Sequence, residues 1–164
     1  MVVGVVLFGL WSGGGLLVCE CCVCVGRGRC VYESVIFDVK NVLLFAVPGA
    51  FTPTCSVAHL PGFVVHVDDI KAKGVDTVAC MAVNDVFVVD AWGKAANAEH
   101  LLMLADGNAD FTTAVGLTLD GTGFGMGTRS QRFAMIVDDG VVSLLNVDQG
   151  ALEGSSAEAI LTAL

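Results

Sequence analysis

The stretch Asn41-Val-Leu-Leu-Phe-Ala-Val-Pro-Gly-Ala-Phe-Thr-Pro-Thr-Cys-Ser56 decides the fold. Its first seven residues form an apolar run of strand length, the pattern of a strand covered on both faces. Pro48 and Gly49 end the run, and Thr52 followed by Pro53 reads as an N-cap with proline at the first helical position. A strand turning directly into a helix opens an α/β unit, and open α/β sheets place their sites beyond the carboxyl ends of their strands. Cys55 falls at that point, as the third residue of the expected helix. There its sulfur meets unpaired backbone N–H groups and the positive end of the helix dipole, which favour thiolate over thiol. A cationic partner strengthens that preference, and Arg129 and Arg132 are the candidates. Against this stands the usual fate of a free cysteine, a small buried hydrophobe.

Working outward, the helix is expected to run to Lys73, with Gly74 as its stop and a kink before Pro61. Residues 75–83 form a second apolar strand closed by Asn84-Asp85, followed by a helix over 86–96 and a short strand over 101–105. Asp110 begins a short helix ending at Gly116, and residues 120–127 are a glycine-rich loop. No Gly-Lys-Ser/Thr follows that loop, so it is not a P-loop, and its expected role is flexible packing. Two strands, 132–138 and 141–147, flank Asp139-Gly140, a two-residue hairpin signal. Ser155-x-x-Glu158 reads as a capping box opening a helix to the C-terminus. The order βαβαβα, hairpin, helix implies an α/β layered fold, parallel in its centre and antiparallel at one side.

The length of 164 residues suits one domain with a sizeable core. The net charge is −9, with 16 acidic against 6 basic side chains in residues 31–164, which excludes a phosphate-backbone binder. Five of the seven cysteines, Cys19, Cys21, Cys22, Cys24 and Cys30, lie within twelve residues, while Cys55 and Cys80 stand alone. An odd count excludes a fully paired intramolecular framework. The cluster is compatible with a thiolate metal site, but no histidine lies near it and its spacing fits no common zinc pattern. Met1 to Cys19 is apolar and uncharged, yet has no basic n-region and no Ala-x-Ala cleavage motif. Residues 1–38 are therefore read as an atypical apolar, cysteine-rich leader without regular structure, and 39–164 as the domain.

Pro48-x-x-x-Thr52-x-x-Cys55 resembles the active-site motif of the peroxiredoxins. The longer run VPGAFTPTCS…HLPGF (47–63) is similar to their type II, atypical two-cysteine branch. The resemblance continues through Lys71-Ala-Lys-Gly-Val-Asp76, Val83-Asn-Asp85, Ala91-Trp-Gly-Lys94, Met103-Leu-Ala-Asp106, Thr128-Arg-Ser-x-Arg-Phe-Ala134 and Leu145-Asn-Val147. It implies a thioredoxin-like central mixed sheet flanked by helices, with the family's opening strands replaced by the leader. It also implies a thiol peroxidase acting on hydrogen peroxide and alkyl hydroperoxides, with no metal or organic cofactor. Cys55 is then the peroxidatic cysteine that becomes sulfenic acid, Thr52 orients the peroxide, Pro48 shields the sulfenate and Arg129 polarises the O–O bond. Cys80, at the spacing of the plant-type members, is the implied resolving cysteine; the residue-level alternative is a core cysteine in a buried strand.

His59, one turn after Cys55, is expected to cap or pack, and Trp92 to lie in the core or at an interface. Thioredoxin or glutaredoxin is the implied reductant and a homodimer the implied assembly. No nucleic acid or membrane partner is expected. The expected compartment is the cytoplasm, with organelle targeting by the N-terminal segment left open. The competing reading is a non-catalytic peroxide sensor or interaction protein on a truncated form of the same fold.

Overall fold

The computed structural model of the chain describes residues 41–164 in full and, upstream of them, the strand backbones of residues 2–7, 21–25 and 29–32. The apolar run Asn41–Val47 forms β4, whose residues 42–47 are all buried. It lies in the middle of an eight-stranded sheet. On one side β5 (Thr77–Ala82) pairs with it in parallel and β6 (Leu102–Ala105) with β5; on the other β9 (Arg132–Asp138) pairs antiparallel to it and β10 (Val141–Asp148) antiparallel to β9.

Alternation along β4 divides the core. Leu43, Phe45 and Val47 face one layer, with Leu60, Phe63 and Ile70 of α1 (Leu60–Ala72), Trp92 of α2 (Val86–Ala95) and Ile160 of α4 (Ala157–Ala163). Val42, Leu44 and Ala46 face the other, with Phe111 of α3 (Asp110–Ala114) and Phe133, Met135 and Val137 of β9. A strand buried on both faces has no polar side to show, which is why its sequence is a run and not an alternation.

The helix expected after Thr52 does start at Pro53. Its course differs from the expectation at Pro61. In place of a kink, Cys55–His59 form a π-helical turn in which Leu60 N–H donates to Cys55 O. Pro61 has no N–H to give, and its ring crowds the carbonyl four residues back; a wide turn just ahead of it accommodates both. Lys73 closes the helix and Gly74 follows at φ +99°.

The capping box is displaced by one residue. Ser156, not Ser155, is the N-cap of α4 and accepts from Ala159 N–H, because Ser155 is buried and directed elsewhere. The hairpin turn has Asp139 at φ 47° and Gly140 at φ 76°, the type I′ geometry that its sequence asks for. The glycine-rich loop is framed by a two-stranded ribbon, β7 (Thr118–Asp120) and β8 (Thr128–Ser130).

Residues 2–7, 21–25 and 29–32 also differ from the expectation of a leader without regular structure. β1 (Val2–Leu7) pairs in parallel with β6, and β2 (Cys21–Val25) and β3 (Arg29–Tyr32) continue the sheet antiparallel. β6 would otherwise offer an unpaired row of backbone N–H and C=O groups, and an apolar β-branched run satisfies it. Cys19 and the side chains of Cys21, Cys22, Cys24 and Cys30, on which a thiolate metal site would depend, lie outside what the structure describes.

Candidate active site

The site forms where β4 ends. Residues 48–52 turn tightly, with Ala50 N–H held by Asn84 Oδ1 at 2.9 Å. A side chain on Gly49 would meet Thr52 Cγ2 at 3.1 Å, so glycine keeps the turn close. Thr52 is not the cap expected of it: its hydroxyl donates to Gly49 O at 2.7 Å, leaving the oxygen's lone pairs as acceptors. Cys55 follows in the first helical turn, with 1% of its surface exposed. Its neighbour Ser56 accepts a bond from Trp92 Nε1–H at 2.9 Å, which places Trp92 in the core and ties α2 to the start of the helix.

The cation that reaches the sulfur is Arg132. Its Nη2 donates to Cys55 Sγ at 3.6 Å. Arg129, the arginine implied by the resemblance, is used differently: its Nε donates to Met126 O at 2.7 Å and its Nη1 to Val83 O. It therefore fastens the glycine-rich loop to the end of β5, and Arg132 is the arginine that faces Cys55. The physical reason is strand parity. Arg132 shares its face of β9 with Ala134 and Ile136, which belong to the layer containing Cys55.

His59 lies one helical turn beyond Cys55 and is equally buried, at 1% exposure. Its ring sits among aromatic walls, 5.1 Å from Phe45 and 5.6 Å from Phe63 between centroids. Nδ1 meets Arg132 Nη1 at 3.0 Å, and Nε2 meets Ser155 O at 3.0 Å. Burial holds the imidazole down at about 4. The bond to the Ser155 carbonyl opposes the shift, the Arg132 charge adds to it and the Asp148 charge opposes it. Ser155 Oγ donates to Asp148 Oδ2 at 2.6 Å. Partial burial works against the Asp148 carboxylate. Bonds from Glu153 N–H, Ser155 and Gly154 N–H nevertheless keep its carboxyl below the ordinary range. His59 was expected only to cap or pack, Ser155 was expected to cap the last helix, and Asp148 carried no sequence signal beyond its polarity.

Pro48 and Arg132 line one small cavity of about 130 Å³, together with Leu119, Gln131, Asp148 and Gly150. Arg132 Nε is buried without a partner among the described residues. Cys80 sits in β5 opposite Phe45, fully buried and in the same apolar layer as Cys55. Burial pushes its thiol well above the ordinary value, and the nearby Cys55 adds to the shift. Both cysteines are free thiols. Among the described residues no group of three or more His, Cys, Asp or Glu could hold a metal ion, and no helix is long and apolar enough to cross a membrane.

A buried cysteine at a helix start, faced by a guanidinium at the carboxyl end of a central strand, defines a thiol-chemistry site on a thioredoxin-like fold. The Redoxin family model matches residues 28–161, starting upstream of residue 39. The chain is 49% identical over 143 residues to Peroxiredoxin-2E, chloroplastic, of Arabidopsis thaliana, covering 85% of this chain and 61% of that relative. It is 49% identical to Peroxiredoxin-2B of the same plant, over 76% of this chain and 78% of the relative. The structure of reduced Prx3 in complex with hydrogen peroxide from Vibrio vulnificus superposes with a TM-score of 0.84. It is 52% identical, over 95% of this chain and all of that one. The chain belongs to the Redoxin family and, within it, to the peroxiredoxins, which are thiol peroxidases.

Proposed function

We propose that the chain reduces hydrogen peroxide and alkyl hydroperoxides through Cys55. The observation that carries this is the Arg132 guanidinium directed at the buried Cys55 sulfur. The thiolate attacks one peroxide oxygen, forming an S–O bond as the O–O bond breaks. The departing oxygen takes a proton and leaves as water or alcohol, and Cys55 becomes sulfenic acid. Arg132 stabilises charge moving onto the leaving oxygen, and its unpartnered Nε–H is a further donor for the peroxide. Thr52 Oγ1, already donating to Gly49 O, accepts the hydrogen of the bound peroxide. Pro48 walls the cavity against water.

Cys80 is the proposed resolving residue: its thiol attacks the sulfenic sulfur, releasing water and forming a disulfide that a thioredoxin or glutaredoxin dithiol reduces. The 25-residue spacing (80 − 55) and the shared apolar layer support this. Bridging needs Cα atoms within about 7 Å, so the first helical turn unwinds for it. A homodimer and a cytoplasmic location complete the reading. Two relatives are chloroplastic by name, so full-length chain found in plastids would replace the second.

The test is peroxide turnover by the wild type, Cys55→Ser and Cys80→Ser, with thioredoxin and glutaredoxin supplied in turn. Loss of consumption in Cys55→Ser is expected. Consumption unchanged in that variant would end the proposal, and peroxide-dependent capture of a partner without turnover would favour a sensor.

A further inference from the structure

The contacts around His59 dictate where every hydrogen sits. A guanidinium only donates, so His59 Nδ1, 3.0 Å from Arg132 Nη1, must be the bare nitrogen that accepts. The single proton of the neutral ring then lies on Nε2, which faces Ser155 O at 3.0 Å and Ser155 Oγ at 3.4 Å. That hydroxyl can accept from Nε2–H because its own hydrogen goes to Asp148 Oδ2 at 2.6 Å. A carboxylate has no hydrogen to return. Asp148 is held in turn by Glu153 N–H at 3.0 Å, Gly154 N–H at 2.9 Å and Ser155 N–H at 3.2 Å.

We propose that Asp148 and Ser155 are positioning residues of the peroxidatic centre. They fix His59 as the Nε2–H tautomer, so that its bare Nδ1 clamps the Arg132 guanidinium against Cys55. This goes beyond the peroxidase reading and rests on it only for its rate measurement. All donations in the chain Arg132, His59, Ser155, Asp148 run one way, from the cation to the anion. Reversing the Ser155–Asp148 link sets the hydroxyl hydrogen against His59 Nε2–H and pushes the ring off Arg132. The same occupancy keeps His59 from serving as a base for the Cys55 thiol, since its one lone pair is spent on Arg132. The residues that hold the site together thus come from both ends of the domain, the helix after β4 and the last residue of β10 with the loop that follows it.

The direct test is nitrogen-15 NMR of the histidines in the reduced full chain, with the His59 signals assigned by their absence in His59→Gln. The Nε2–H pattern is expected at neutral pH; the Nδ1–H pattern or a doubly protonated ring would overturn the proposal. Asp148→Asn keeps the shape but can donate where the carboxylate only accepts. It is expected to move the His59 Nε2 signal from its wild-type position and to slow the reaction with hydrogen peroxide by about tenfold or more, as for other groups that orient a reacting side chain through a second one. A folded Asp148→Asn with wild-type signals and a rate within about twofold overturns the proposal. His59→Gln and His59→Leu decide independently of that variant. Glutamine offers Oε1 to Arg132 and Nε2–H to Ser155, so it is expected to recover most of the rate that leucine loses. Equal rates in the two would count against the clamp. A wild type that turns over no peroxide would remove the peroxidase reading while leaving the NMR result intact.

Discussion

Two arginines three residues apart hold different parts of the molecule. Arg132→Met removes the donor to Cys55 Sγ and is expected to lower the second-order rate with peroxide by about 10²–10³-fold, the loss for one preorganised donor at a developing charge. Arg129→Met removes the bonds to Met126 O and Val83 O instead. It is expected to cost about 1–3 kcal/mol in denaturant unfolding, with the smaller effect on rate. The reverse ranking would return the polarising role to Arg129. Parity in the strand 132–138 puts Arg132 on the face of Ala134 and Ile136. The sequence alone did not reveal which face the Cys55 helix covers, because β4 and β9 are apolar on both. That is why the two arginines could not be separated there.

The histidine makes a prediction of its own. His59 is held at about 4 in the fold, against an ordinary 6.5, so the unfolded chain binds the extra proton first. The stability it secures is complete above about pH 6.5 and is lost as the pH falls toward 4, ~3 kcal/mol in all. Arg132, Asp148, the Ser155 carbonyl and Cys55 surround the same cluster, and His59→Gln isolates the ring's share. Urea unfolding as a function of pH measures it; identical acid slopes for wild type and His59→Gln would contradict the assignment.

At the scale of elements, whatever depended on local chemistry was legible. The β4 run, the Pro53 start, the Asp139-Gly140 turn and the C-terminal helix are present as the residues implied. What depended on distant partners was not. Ser155 has the credentials of a cap, but Asp148 and His59 claim it, and the cap passes to Ser156. The glycine-rich loop is more tightly built than flexible packing suggests. Gly121 N–H donates to Gly127 O at 2.8 Å, and a Cβ there would sit 2.8 Å from that oxygen and 3.3 Å from Arg129 Cγ. Gly121→Ala is therefore expected to destabilise by about 1–3 kcal/mol, read as a lowered Tm. An unchanged Tm would show that the ribbon yields.

For the molecule as a whole, the sheet orders the chain in a way no single segment announces. β4 lies between β5 and β9, and its Asn41 pairs with Asp138. The upstream strands illustrate the same point. A glycine-interrupted apolar leader has no visible reason to be a strand until β6 presents its edge.

The same ordering has a consequence in time. Arg132 follows Cys55 by 77 residues (132 − 55) and Ser155 by 100 (155 − 55), so on the ribosome the nucleophile emerges long before the groups that restrain it. Until β9 arrives, β4 has its parallel neighbour but nothing on its other side, and the helix start has no guanidinium to meet. A stalled nascent chain ending before Arg132 is expected to expose Cys55 to a maleimide reagent, and one extended past the C-terminal helix to protect it. Newly made chains would then pass through a period in which this sulfur is open to any electrophile in the cell.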